Sequence, residues 1–389
     1  MSCLHTPMAS SVKLHALKAI TAMKLEIQSR KLIKPSKSTP LTLRRYEISF
    51  IDELAPTMNL PLLLLFPPNL DYNQTFVVDL EESLKKTLAN LYPLAGRYME
   101  DIHIVDCNDE GVEFTQAKAD ITIQQLLDRK IHPNLVNELI PSKLLASGHT
   151  NAMLATQVTM FQCGGLALGV SIAHRIGDVS TVITFLNQWA TLSRKDTNIE
   201  FGPFGGTDIK SSSLFPAQGL LPIEVGFSKL NNNDDYMTKK LSFTENAISN
   251  MKNKVTMNGK RNAHQLFKVR LVSALIWKAF VGVDHVINGH RRTSVLVQPV
   301  ALRPKREKIA SLNPKRPLGN HWGAIATECA ATKMIPEFED LIDLLGGSVT
   351  KTIRDYSKVG HDSHERKQMV LKSFSNVTNI SDTTNVICT

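Results

Sequence analysis

Within the stretch LALGVSIAHRIGDVSTVITFLNQWA, residues 166–190, an apolar run ends in His174, and a carboxylate, Asp178, follows four positions later. An imidazole has an ordinary pKa of about 6.5, so at neutral pH its unprotonated ring can take a proton from a hydroxyl or an amine. The carboxylate has a different task open to it. At the start of a helix it can accept hydrogen bonds from free backbone N–H groups and favour the positive end of the helix dipole, or it can hold an arginine. His174 alone among the 12 histidines has an aspartate four places downstream. Spacing by itself is a weak signal in a chain this long, so its weight comes from the elements around it.

Those elements can be read outward from His174. Leu166–Ile172 is a nearly continuous apolar run, the pattern of a strand buried on both faces. The following helix begins near Asp178 and puts Val182, Ile183, Leu186, Trp189 and Ala190 on one face. His174 therefore falls where a strand stops and the chain turns, a place where a polar side chain can face a cleft from a rigid base. Upstream, ATQVTMFQ and a Cys-Gly-Gly turn predict a hairpin with the same strand.

A rival reading uses the same residues. Gly169-Val170-Ser171-Ile172-Ala173 is one residue away from a G-x-S-x-G nucleophile elbow. The elbow needs a sharp strand-to-helix turn at the serine itself, whereas Ser171 lies inside the apolar run. GGSVTKT, residues 346–352, echoes a phosphate-binding loop but lacks the glycine before the lysine. No HExxH, Cys/His cluster or GxGxxG occurs, which weighs against metal, nicotinamide and nucleoside-triphosphate chemistry.

The chain has 389 residues, of which 42% are hydrophobic and 21% charged, an ordinary balance for a soluble protein of two domains. LPLLLLF, residues 60–66, is far shorter than the about 20 residues a bilayer span needs and reads as a buried strand. Five scattered cysteines with no CxxC point to a reducing compartment, and a cytoplasmic location is expected. The net charge of +9 is uneven: residues 1–45 carry +8, residues 251–320 carry +13, and the remainder sums to −12. A mildly acidic body with one basic segment suggests an anionic ligand and not a nucleic-acid-binding chain.

Further elements are legible along the chain. KLEIQSRKLIKPS and RRYEISF read as early strands. Residues 77–96 read as an amphipathic helix with Leu80, Leu84, Leu88 and Leu91 on one face. IHIVDCNDEGVEFTQA reads as two strands about an Asn-Asp-Glu-Gly turn. Residues 201–240, rich in Gly, Pro, Ser and Asn, look like a linker. Beyond it, KKLSFTENAISNMKNKV predicts a strand then a helix, AHQLFKVRLVSALIWKAFVGV a helix buried on one face, and TSVLVQPVAL a strand.

Several stretches together resemble the plant BAHD acyltransferases, which use coenzyme A thioesters: LYPLAGRY (91–98), FQCGGLALGVSIAHRIGD (161–178), LVSALIWKAF (271–280), ALRPK (301–305) and GN (319–320), in that order. The resemblance covers residues 23–389 and implies an α/β, mixed-sheet, two-domain chloramphenicol acetyltransferase-like fold with a channel between the halves. It implies a disordered extension at 1–22, a first domain at 23–200, a crossover linker at 201–240 and a second domain at 241–389. It casts His174 as general base, with Asp178, Arg303 and Gly177 structural at the site, an Asp178–Arg303 pair fixing the turn. It implies acyl-CoA, with acetyl-CoA favoured, as co-substrate, an alcohol acceptor, no resident cofactor, no metal, no nucleic-acid or membrane partner and a monomer. Lys268 and Arg270 in the basic segment are candidate contacts for its phosphates. The family also carries an Asp-Phe-Gly-Trp-Gly motif absent from these residues. That absence implies a truncated second domain and raises a catalytically inactive homologue as the alternative.

Overall fold

The computed structural model describes residues 23–128, 133–141, 152–194, 211–222, 241–256, 266–302, 318–331, 335–358, 363–378 and 385–388. In chain order the elements are β1 (Leu25–Ile33), β2 (Arg45–Glu47), α1 (Phe50–Leu54), β3 (Asn59–Phe66), α2 (Gln74–Asn90), β4 (Arg97–Met99), β5 (Ile104–Asp106), β6 (Val112–Ala119), α3 (Ile123–Leu127), β7 (Leu154–Phe161) and β8 (Leu166–Ala173). They continue with α4 (Val179–Ser193), α5 (Ser211–Leu214), α6 (Glu245–Thr256), α7 (Lys268–Asn288), β9 (Ser294–Ala301), β10 (Trp322–Cys329), α8 (Phe338–Lys358), α9 (Ser363–Thr378) and β11 (Asn385–Cys388). The predicted extension at 1–22 and much of the predicted linker lie outside the described residues.

The first half is organised on a five-stranded mixed sheet in the order β1-β6-β7-β8-β3, in which β6 and β7 run parallel and the other neighbours antiparallel. The expected β7–β8 hairpin is present, turning through Gly164 at φ 77°, where a left-handed residue costs glycine nothing. Every residue of β8 is buried except Ala173. Its even-numbered residues, Leu166, Leu168, Val170 and Ile172, enter the core shared with α2 and α4. Its odd-numbered residues are small, and at Gly169 an added Cβ would sit 2.1 Å from the Leu139 carbonyl oxygen. The strand can lie flat under the 133–139 segment because that position has no side chain.

Both helices behind the sheet are capped by their sequences. Asn73 accepts a hydrogen bond from the Phe76 N–H at the start of α2, and Leu84, Leu88 and Leu91 are buried as the leucine spacing predicts. The helix begins three residues earlier than expected and stops at Asn90, where Tyr92–Ala95 tighten into a 3-10 turn. The buried stripe of α4 is Thr181, Val182, Phe185, Gln188 and Trp189, so the expected face is rotated and Ile183 is 38% exposed. The rotation is set by Trp189, whose indole N–H reaches the Leu80 carbonyl and the Ser83 hydroxyl on α2, both at 3.0 Å.

Other sequence readings are corrected. LPLLLLF is β3, an edge strand of half-buried residues, which is where Pro61 is tolerated in a sheet. RRYEISF yields three strand residues and then the α1 helix, because Ser49 and Asp52 form a capping box that turns the chain. The strands of IHIVDCNDEGVEFTQA exist but part company at the turn: β5 joins a small sheet, β2-β5-β4, and β6 the large one. No strand precedes α6 in residues 241–244. GGSVTKT lies in the middle of α8, a helix and not a loop.

The second half holds a three-stranded sheet, β10-β9-β11, with β10 antiparallel and β11 parallel to β9. Helices α6, α7 and α8 pack through Ile248, Leu271, Trp277, Leu341 and Leu345. A separate cluster crosses between the halves: Phe50, Ile51 and Leu54 of α1 meet Val295 and Val297 of β9, Ala324 of β10, and Val370 and Phe374 of α9. Glu53 completes this anchorage. Its fully buried carboxylate accepts the backbone N–H groups of Gln218, Gly219 and Leu220 at 2.9, 3.0 and 3.2 Å.

The steric reading of β8 predicts that Gly169→Ala destabilises the fold by about 1–3 kcal/mol, the usual cost of overpacking a filled core. Chemical denaturation checks this, and an unchanged midpoint would mean that the 133–139 segment yields freely.

Candidate active site

The turn after β8 is a single 3-10 turn, His174–Ile176, whose backbone is fixed at its start. The Ala173 N–H donates to the Met153 carbonyl and the His174 N–H to the Met58 carbonyl, each at 2.9 Å. Successive side chains then diverge. Arg175 turns inward, its guanidinium 5.0 Å from the Tyr98 ring centroid and donating to the Tyr98 hydroxyl at 3.1 Å. Ile176 enters the core. His174 is half-buried at the edge of the turn.

The two nitrogens of that ring have different surroundings. Nδ1 is buried and has no hydrogen-bond partner among the described residues. Nε2 is not a buried, unpartnered atom of this kind, and the residue as a whole is half-buried. Burial lowers the pKa of His174 below its ordinary 6.5, opposed to a lesser degree by its own main chain, then by Asp178 and Asn320. The ring is thus neutral at physiological pH.

Asp178 caps α4. One carboxylate oxygen accepts the Thr181 N–H at 3.1 Å and the other accepts the backbone N–H of His321, also at 3.1 Å. The carboxylate therefore joins the helix of the first half to the second half. Arg303, its expected partner, lies outside the described residues. Gly177 forms an isolated parallel bridge with Gly319. Its backbone is extended, at φ 177°, so the need for glycine is one of space: a Cβ would fall 2.5 Å from both Cβ and Cγ2 of Thr181. Thr181 is itself held, donating to the Gly319 carbonyl at 3.2 Å.

The sequence reading lacked the other half of the site. Residues 318–322, Leu-Gly-Asn-His-Trp, run beside the turn and supply most of its partners. The Asn320 side-chain amide donates to the His174 carbonyl and, at 2.8 Å, to Asp52 Oδ1. The Asn320 backbone N–H donates to the same oxygen at 2.7 Å. Asp52 Oδ2 accepts the Ser49 N–H at 2.8 Å and the Ser49 hydroxyl at 2.6 Å. Desolvation raises the pKa of Asp52 to about 6 even against these four hydrogen bonds. Trp322 donates its indole N–H to Asn320 Oδ1 at 3.1 Å and places its ring 5.7 Å from the imidazole of His174. Phe374 meets the other side of that indole edge-on, 4.8 Å between centroids. Behind them, the buried His321 ring shares a hydrogen bond with the Ser211 hydroxyl, which also donates to the Leu318 carbonyl at 2.8 Å. The one sequence signal for this cluster was the Gly-Asn pair at 319–320, which carried the resemblance but no role.

The remaining candidates stand apart from this cluster. Lys268 and Arg270 occupy the first turn of α7. Lys268 is exposed, and the Arg270 guanidinium lies against Gly346 of α8. No hydrogen bond joins either to His174 among the described residues. Within the basic segment Lys278 pairs with Glu337 and Arg292 with Asp284, so part of its charge is neutralised locally. Ser171, the rival nucleophile, is buried within β8, paired in register with Pro61 and Ala155.

This arrangement was compared with known proteins. A family model described as the transferase family matches residues 23–388. Vinorine synthase of Rauvolfia serpentina is 32% identical over 349 residues, covering 86% of this chain and 78% of that protein. An acetyl-CoA-benzylalcohol acetyltransferase of Clarkia breweri is 30% identical, covering 90% of this chain and 80% of that protein. The crystal structure of vinorine synthase superposes with a TM-score of 0.74 at 27% identity, covering 94% of this chain and 83% of that one. The structure of F. sporotrichioides TRI101 with coenzyme A and T-2 shares the fold at 18% identity, with a TM-score of 0.58, covering 87% of this chain and 79% of that one. The mixed α/β architecture is thus the one vinorine synthase has, and the chain belongs to the transferase family of BAHD acyltransferases.

Proposed function

We propose that this acyltransferase moves an acyl group, acetyl in the first instance, from a coenzyme A thioester to a hydroxyl of a plant specialised metabolite, with His174 as general base. The observation that carries the reading is the His174 side chain: one nitrogen buried and unpartnered on a half-buried residue, at the end of a strand buried along all but its last residue. Relatives that are named acetyltransferases, one of them for an acetyl-CoA donor and benzyl alcohol, supply the substrate class. Fold neighbours crystallised with coenzyme A supply the co-substrate.

In the proposed reaction Nε2 of neutral His174 takes the hydroxyl proton as the acceptor oxygen attacks the thioester carbonyl. The C–O bond forms, a tetrahedral oxyanion results, and its collapse breaks the C–S bond and expels the thiolate. The proton held by His174 can then pass to that thiolate, so the ring returns neutral. Asp178 and Gly177 serve the turn, and an Asp178–Arg303 pair remains part of the proposal. Lys268 and Arg270, near the start of α7, are proposed for the phosphates of coenzyme A. The same proposal includes a monomer in the cytoplasm, divided near residues 201–240.

Thiol release from acetyl-CoA with a panel of alcohols tests this. His174→Ala should lower kcat by about 10²–10⁴. Equal rates in both chains would remove His174 from the mechanism, and no release by the parent chain with any alcohol would favour the inactive homologue.

The acid limb of the rate profile is a second test. Because burial lowers the His174 pKa, activity should hold as pH falls to 6.5 and decline below it. For stability, the unfolded chain binds this proton more tightly. The contribution of neutral His174 is therefore present above 6.5 and lost as pH falls through the lowered value. A limb centred above 6.5 would contradict a buried, neutral base.

A further inference from the structure

We infer that Asn320 and Asp52 are the positioning pair of this acyl transfer, holding the turn that carries His174 from behind through its main-chain carbonyl. The inference rests on His174 being the base. Asp52 acts through Asn320, and Asn320 acts through the His174 carbonyl that it holds.

The orientation of the Asn320 amide is forced by its partners. Its nitrogen faces two acceptors, the His174 carbonyl and Asp52 Oδ1, and its oxygen faces one donor, the Trp322 indole N–H. Rotating the amide by half a turn would set its oxygen against a carboxylate and a carbonyl, and its NH₂ against an N–H. Every polar atom of the side chain is thereby committed, at 0% exposure.

Asp52 explains why that amide keeps its place. The carboxylate is 1% exposed, and its partners are the N–H and hydroxyl of Ser49 and the two N–H donors of Asn320. A residue with one acceptor oxygen could not receive all four. The capping box fixes Asp52 to the start of α1, α1 is packed into the second sheet, and Asn320 lies two residues before β10. The His174 carbonyl is thus referenced to a rigid frame made from both halves. The same amide sets Trp322, so the distance between indole and imidazole reports the alignment of the ring.

That indole provides a readout needing neither acceptor nor turnover. A protonated imidazole close to an indole quenches its emission, so tryptophan fluorescence should fall as pH drops through the His174 pKa. Trp322→Phe assigns the Trp322 component against the buried Trp189 and Trp277. Asn320→Ala should lose at least half of that pH-dependent amplitude. Its kcat for thiol release should fall about 10–100-fold, the scale of a misplaced catalytic group, with KM for acetyl-CoA within about twofold. Asp52→Asn keeps the shape and one acceptor oxygen, so its losses should lie between wild type and Asn320→Ala. A purely architectural pair would lower the unfolding midpoint while kcat per folded molecule and the titration stayed at wild-type values, and that result overturns the inference. Should Asn320→Ala fail to fold, Asp52→Asn decides by the same criterion. His174→Ala with wild-type turnover would sink the general-base reading instead, while the fluorescence arm still reports whether Asn320 aligns the ring.

Discussion

A carboxylate buried among neutral donors is the constraint on which the rest of this structure depends. Among the described residues Asp52 has no cation as a hydrogen-bond partner; its charge is met by two groups from Ser49 and two from Asn320. Removing a carboxylate from water is costly unless its lone pairs are filled, and here they are filled from segments 268 residues apart. The arrangement can exist only with the two halves in one relative position. The Gly177–Gly319 bridge, the Asp178 contact with the His321 N–H and the apolar cluster around Phe50 repeat the same demand by other means.

The two titrating groups near the turn shift in ways that suit different tasks. Burial lowers the proton affinity of His174 and raises that of Asp52, since it disfavours the charged form of each. In the proposed mechanism the base must be neutral to work, so for His174 the shift is useful. For Asp52 it is a cost borne by geometry, because the anion is the form that can accept four donors. The folded chain favours the protonated carboxyl between 3.8 and about 6, so this group's contribution to stability diminishes as pH rises through that window and is constant above it.

Much of the first half was legible because local patterns and tertiary context agree there. The apolar run of β8, the glycine turn before it and the Asp178 cap are short-range features, and each appears where the sequence puts it. The misreadings share one cause, which is that a strand or helix face is chosen by partners distant in sequence. β5 and β6 follow each other through a good turn and still join different sheets, because β5 pairs with β2 and β4 while β6 pairs with β1 and β7. The α4 face is rotated by one indole N–H shared between two acceptors on α2. The Asn320 cluster was beyond reach for the same reason: nothing local marks a Gly-Asn pair as the partner of a histidine turn far upstream.

The separation of 146 positions between His174 and Asn320 has a temporal meaning. A chain emerging from the ribosome exposes its strand, its turn and its imidazole long before the amide that trains them has been made. The nascent first half therefore carries a histidine in the right sequence but without its brace. The bond between that amide and the histidine turn forms as one late event, when the second half closes on the first.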